Sequence, residues 1–367
     1  MIGYKNFIAM KFHHQKLRRF TQSLFEAMGC PSTDAEVVAD VLIAAELRGI
    51  PSHGLMRVKD YYAMVKAERI NTSPQVRATY ETPSTATVDG DNALGPVAAK
   101  KSMQIAIEKA KVAGTGWVAT NNSNHYGIAG YYSMMALEHD MIGISLTNAN
   151  PLVAPTYSAE RLLGTNPIAV AIPTQNEPPF IADFATTPIA RGKLAIKSKL
   201  GESVPIGLVQ DKEGSPSSNP GILEQGGAIL TLGGGGVDLG GHKGYCMTAL
   251  VDIFSSVLSG ANFGPFVPPQ VAYLPLLEQS VGKGLGHFFG AIRIDAFRPA
   301  VDFKKSMDTW IHTFSTSKSA DFANPVQIPG DNERKTETAY LKDGVPVISK
   351  IFDELCEIAD ALNVEQL

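Results

Sequence analysis

A disulfide scaffold is excluded at the outset, because the chain holds only three cysteines, Cys30, Cys246 and Cys356, far apart and odd in number. They read as core residues of a protein from a reducing compartment. No apolar run approaches the ~20 residues that a membrane span requires. Met1 to Lys11 mixes polar and apolar residues without a signal-peptide core, so a cytoplasmic protein without membrane partners is expected. Charge is sparse as well: 19% of residues are charged and the net charge is −4, which argues against a nucleic-acid surface. The common catalytic signatures are missing. There is no G-x-G-x-x-G after a first strand, no Walker loop, no G-x-S-x-G elbow and no metal-ligand spacing; His13-His14 reads as an exposed pair. Repeats of 20–50 residues are absent, which removes solenoids and propellers.

What is present is a 44% apolar chain of 367 residues, long enough for a large core and two or so lobes. The first third reads mainly as helices. Leu17, Phe20, Leu24 and Met28 share one face; Pro31 and a Thr33-x-x-Glu36 capping box open a second helix that Gly49 ends. A third helix is expected to start near Ser52, and a fourth runs from Pro96 to Gly114. Strands follow at Gly116 to Thr120, Met141 to Thr147, Ile168 to Pro173, Phe180 to Asp183 and His287 to Ile294, with a helix from about Ile128 to His139. Residues 211–241 are loop-rich, Lys243 to Ser259 is an apolar helix, and helix returns after Val345.

Chemistry concentrates in a few islands. In Arg48-Gly49-Ile50-Pro51-Ser52-His53-Gly54-Leu55-Met56-Arg57, Ser52 is a good N-cap, placing His53 in a first helical turn whose dipole disfavours imidazolium. Arg57, four residues on, then shares its face. An imidazole that takes a hydroxyl proton beside a guanidinium that clamps a carboxylate is what oxidation of a 2-hydroxyacid needs. An equally open alternative is a solvated helix in which Arg57 pairs with Asp60. Asn121 to Gly130, directly after a strand, presents His125 as a second proton carrier or as a capping group. Asn148-Ala149 and Asn166-Pro167 mark turns. Asp183-Phe184-Ala185-Thr186-Thr187 either offers an acid and hydroxyls to a ribose or amide, or is a polar turn. The run Gly233 to Tyr245 brings glycines and Lys243-Gly244 to a helix start, a setting suited to a pyrophosphate, with a flexible glycine linker as the alternative. Pro329-Gly330-Asp331 reads as a late loop.

Together these islands resemble the type-2 malate/L-lactate dehydrogenase family, which includes ureidoglycolate, sulfolactate and diketogulonate dehydrogenases and cyclic imino-acid reductases. The resemblance spans about residues 14 to 360. It rests on Arg48-Gly49-x-x-Ser52-His53-Gly54-x-x-Arg57, Ser123-Asn124-His125-Tyr126-Gly127-x-Ala129-Gly130, Gly164-Thr165-Asn166-Pro167, Asp183-x-Ala185-Thr186, Gly192-Lys193, His242-Lys243-Gly244-Tyr245 and Pro329-Gly330-Asp331. It implies a non-Rossmann α/β fold: a mixed, largely antiparallel NAD(P)-binding sheet over residues 116–299, and a helical lobe on the substrate side from residues 1–115 and 300–367. It also implies a homodimer. Catalytic roles fall on His53, Arg57 and His125, with either histidine as proton acceptor, and substrate contacts on Ser52 and Arg57. A second carboxylate would need another cation, for which Arg48, Lys193 and Arg191 are unranked candidates. Cofactor contacts fall on Asn148, Ala149, Asp183, Phe184, Ala185, Lys243, Gly244, Gly330 and Asp331. Asp331 stands where the family usually has Glu, Thr187 where it has Ser, and residues 211–241 carry more Gly and Ser than usual. The expected reaction is hydride transfer between NAD or NADP and a small 2-hydroxyacid, malate/oxaloacetate favoured over another 2-oxoacid or a cyclic imino acid. A non-catalytic NAD(P)-binding protein is the alternative of a different class.

Overall fold

The computed structural model describes residues 9–321 and 324–367. Of the N-terminal stretch Met1 to Lys11, the first eight residues lie outside these. In chain order the elements begin with β1 (Ala9–Phe12), α1 (His14–Ala27), α2 (Ser32–Leu47), α3 (Arg57–Lys66), β2 (Arg77–Glu81), β3 (Thr85–Asp89), α4 (Gly95–Ala113) and β4 (Thr115–Ser123). Next come α5 (Ala129–Met135), β5 (Met141–Thr147), β6 (Ile168–Ile172), β7 (Phe180–Phe184), α6 (Arg191–Lys199), three two-residue strands β8, β9 and β10 at 209–210, 216–217 and 228–229, and α7 (Gly241–Asp252). The chain finishes with β11 (Leu285–Arg293), α8 (Ala300–Ser315), α9 (Asp331–Asp343), β12 (Val345–Ile348) and α10 (Ser349–Leu362).

Seven strands form the central sheet in the order β2-β3-β4-β11-β5-β6-β7, and only the β3–β4 pair is parallel. The expected mixed, largely antiparallel α/β fold is what the chain adopts. Alternation explains the pairing: Val118, Ala169, Phe289 and Ala291 turn inward to a core that includes Met103, Ala106 and Ala110 of α4. Gly116 lets that helix approach, since a Cβ there would stand 1.9 Å from the Ala106 carbonyl oxygen. A second core unites both ends of the chain. Leu17 and Leu24 of α1, Leu42 of α2 and Val58 of α3 pack with Val345 and Val347 of β12 and Leu355 and Ile358 of α10. A third, smaller core gathers Val153, Leu163, Leu194, Val209 and Ile229 under the excursion between β5 and α7.

Several expectations are corrected. The capping box does not form, because Glu36 pairs with Arg18 at 2.9 Å and Ser32 donates to Glu26 at 2.6 Å. The helix expected near Ser52 starts only at Arg57; Pro51–His53 is a 3-10 turn. The strands β2 and β3 interrupt the helical first third, and the apolar helix after Lys243 ends at Asp252, where one π-helical stretch, 253–257, continues it. Among the described residues no helix is long and apolar enough to cross a membrane.

Candidate active site at one end of the sheet

Register brings the predicted islands together. His287, near the start of β11, lies opposite Thr120 of β4 on one side and Thr147 of β5 on the other. Leu146 pairs with Ile168, and Ile168 with Phe184. The ends of β4, β5 and β7 and the starts of β11 and β6 therefore share one end of the sheet. Ser123 to His125, Asn148-Ala149, Asn166 and Asp183-Phe184 all extend from it.

His53 and His125 stack there with ring centroids 5.5 Å apart. The Ser52 hydroxyl lies 2.9 Å from His53 Nδ1, so it serves the imidazole rather than capping a helix. Burial, then the Arg57 charge, pushes His53 down to about 4; the neutral ring expected from a helix dipole thus arises from another cause. His125 is pushed well below its ordinary value by burial, Arg57, His53 and His287. Its Nδ1 lies 2.8 Å from the Tyr61 hydroxyl and 3.4 Å from the Gly127 N–H. An amide N–H only donates, so Nδ1 is the acceptor and the ring proton is assigned to Nε2. Arg57 does not share a helical face with His53: it is the first residue of α3, beyond the Gly54–Met56 turn. Its Nε donates to the Ser52 carbonyl at 2.7 Å and its Nη1 to Asp60 at 2.9 Å. The expected alternative, a pairing with Asp60, is thus real, and the separate bond to Ser52 ties Arg57 to the histidine turn.

Behind these rings His287 is fully buried, between the Thr147 hydroxyl at 2.7 Å and the Ser123 hydroxyl at 2.8 Å, and stacks on Tyr126 at 4.6 Å. Burial holds it down at about 3. The strand pattern hides His287, and Tyr61, the hydrogen-bond partner of His125, is not among the expected site residues although it lies four residues after Arg57 on the same helix.

The turns expected to meet a cofactor are tied to one another. The buried Asn148 side chain donates to the Asn262 carbonyl at 2.7 Å and accepts the Gly286 N–H at 3.0 Å. The Ala149 N–H is taken by Asn166 Oδ1 at 3.1 Å. Asp183 accepts the Gly130 N–H at 2.8 Å; the protein crowded around it pushes its carboxyl up to about 6, although it stays open to solvent, and Arg48 opposes the rise. Arg48 itself is buried and pairs with Glu337 at 3.3 Å. Phe184 is exposed and Ala185 half-buried, while the Thr186 and Thr187 hydroxyls turn inward to carbonyls rather than outward to a ribose.

The glycine run folds onto itself as a tight cradle. A Cβ on Gly241 would meet the Gly234 carbonyl oxygen at 1.9 Å, and one on Gly244 the Leu232 carbonyl oxygen at 2.1 Å. Lys243 is exposed in the first turn of α7. Beside it His242 Nδ1, like Asn150 Oδ1 after β5, is buried without a hydrogen-bond partner. The glycine cradle and Lys243 at a helix start suit the anionic pyrophosphate of a dinucleotide. The orphaned Asn150 Oδ1 suits a donor such as one of the dinucleotide's hydroxyl or amide groups, so the residues fit that group. Gly330, in the left-handed region at φ +97, sits against Ile181 of β7, and the Pro329 carbonyl accepts the Ile181 N–H at 3.2 Å. The Asp331 carboxylate caps the Ile328 N–H at 3.0 Å and pairs with Arg334. What read as a simple loop is the entry to α9.

Comparison with known proteins then gives one consistent result. Residues 12–356 match the family described as malate/L-lactate dehydrogenase. A malate dehydrogenase from Pyrococcus horikoshii is 40% identical over 365 residues, covering 100% of this chain and 99% of that protein. A malate/(S)-sulfolactate dehydrogenase from Methanothermus fervidus is 38% identical, covering 93% and 95%. Among solved structures, malate dehydrogenase from Entamoeba histolytica superposes with a TM-score of 0.90 at 33% identity, covering 98% of this chain and 99% of that one.

Proposed function

The chain belongs to the malate/L-lactate dehydrogenase family and is a hydroxyacid dehydrogenase using a nicotinamide cofactor; from that premise we propose malate and oxaloacetate as its substrate pair. The full-length 40% identity to a malate dehydrogenase carries this reading. Bound nicotinamide supplies the hydride chemistry. The residues of this chain do the rest. Lys243, Gly244 and His242 at the start of α7, with Asn148, Ala149, Asp183, Phe184, Ala185 and the Gly330-Asp331 turn, would hold the dinucleotide. Arg57 orients the substrate C1 carboxylate, with Ser52 beside it. A neutral imidazole, His53 or His125, accepts the hydroxyl proton in oxidation and returns it in reduction. Both rings are held neutral at pH 7, which supports that role. Arg48 is proposed as the cation for the second carboxylate.

The same proposal includes a cytoplasmic homodimer. Three free cysteines favour a reducing compartment. Tyr245, Leu250, Phe254, Val257 and Leu258 on α7 and its extension are exposed, an apolar face of the kind a second copy covers.

A second reading, sulfolactate, is favoured by the Methanothermus fervidus relative. Oxidation of NADH and NADPH is followed with oxaloacetate, sulfopyruvate, pyruvate and a cyclic imino acid. The highest kcat/KM is expected with oxaloacetate. A maximum with sulfopyruvate replaces malate by sulfolactate, and the KM ratio of the two cofactors gives their preference.

A further inference from the structure

We infer that Glu46 is a positioning residue, whose buried carboxyl grips the peptide between Gly54 and Leu55 and so sets how His53 and Arg57 are presented to the cleft. The inference rests on the dehydrogenase reading above. Glu46 lies near the end of α2 and is 4% exposed, an unusual place for a carboxyl without a cation. Arg48, two residues on, turns to Glu337 instead. Oε1 accepts the Leu55 N–H at 2.7 Å. Gly54 is required beside it, because a Cβ there would stand 2.3 Å from Oε1 and 2.7 Å from Cδ. The carbonyl of that same peptide, Gly54 O, accepts the Arg57 N–H at 2.9 Å. One peptide thus receives Glu46 on its N–H side and launches α3, with Arg57 at its head, from its C=O side. His53 immediately precedes it.

Burial raises the Glu46 carboxyl to about 7 against the opposing Leu55 N–H. Tyr340 of α9 faces it, and His53 and Arg57 lie on either side of the gripped peptide. A carboxylate makes a stronger hydrogen bond to the N–H than a neutral carboxyl does. The turn is therefore held more firmly as pH rises through neutrality, in a range where His53 and His125 are already neutral.

The test compares Glu46→Ala and Glu46→Gln with the wild-type full chain. For Glu46→Ala, kcat/KM is expected to fall about tenfold or more, the scale of a misplaced reacting group. The NADH dissociation constant, titrated by nicotinamide fluorescence, should move less than about twofold, since the loss is in positioning. Glu46→Gln keeps an acceptor oxygen: most of kcat/KM should return, while the rise near pH 7 disappears. A Glu46→Ala variant with wild-type kcat/KM, or a Glu46→Gln variant that keeps the rise, overturns the inference. Should Glu46→Ala melt early, the Glu46→Gln profile decides alone. Absence of turnover by the unaltered chain overturns the dehydrogenase reading itself, and is told apart because no variant is involved.

Discussion

Arg57, proposed to orient the substrate carboxylate, also holds its own surroundings together. Its Nε and Nη1 hold the Ser52 carbonyl and Asp60, which fixes the guanidinium plane before any substrate arrives. Arg57→Ala should weaken transition-state binding by about 1.5–3 kcal/mol, the worth of hydrogen bonds to a charged group, and raise KM. An unchanged kcat/KM would remove Arg57 from the site. With a neutral imidazole as the proposed acceptor in oxidation, activity should fall as pH drops through the titration of that ring, about 4 for His53 and well below the ordinary value for His125. Of His53→Ala and His125→Ala, the variant that abolishes this limb identifies the proton carrier; if turnover survives both, neither is. Gly244 carries a steric demand instead. Gly244→Ala would drive a methyl group into the Leu232 carbonyl at 2.1 Å, and weaker dinucleotide binding measured by fluorescence titration is the expected result.

At the scale of elements, the sequence was legible where burial and pattern agree. Met141–Thr147 and Ile168–Ile172 are short apolar runs fenced by Asn and Pro, and both formed as expected. Arg77–Glu81 and Thr85–Asp89 are too polar to announce themselves, because one is an edge strand and the other has a half-solvated face. Likewise α8 buries only Ile311, so its pattern carried little signal. The turn at Pro51–His53 departs from the expected helix start because Ser52 has two uses, and the ring of His53 takes its hydroxyl from the helix cap. The partners of His287 depend on strand register, and that of Tyr61 on how α3 packs against the end of β4; no local pattern contains either. The position of β11 between β4 and β5 gives His287 a measurable role. His287→Phe strands the Ser123 hydroxyl and should destabilise by about 1–3 kcal/mol. His287 is buried neutral, with its pKa lowered from 6.5 to about 3, so its contribution is complete above 6.5 and is lost as pH falls toward 3. The wild-type advantage in thermal melts should therefore shrink across that window; a constant gap would contradict the linkage.

For the whole molecule, the exposed apolar face of α7 and its extension predicts association. Val257, 53% exposed, is a suitable probe: Val257→Glu should convert a dimer to a monomer in size-exclusion chromatography with light scattering. A monomeric wild type would refute the dimer. A different consequence follows from the two-stranded ribbon in which Ala9 faces Ile348 and Phe12 faces Val345. Helix α1 shares its interior with α10, far along the chain, so Leu17 and Leu24 have no finished interior until Leu355 and Ile358 emerge from the ribosome. Closing a loop of this span is entropically costly and slow. Synthesis must then pass β12 and α10 before the turn bearing His53 and Arg57 gains its support, and nascent chains stalled short of β12 should remain open to proteases across α1 to α3.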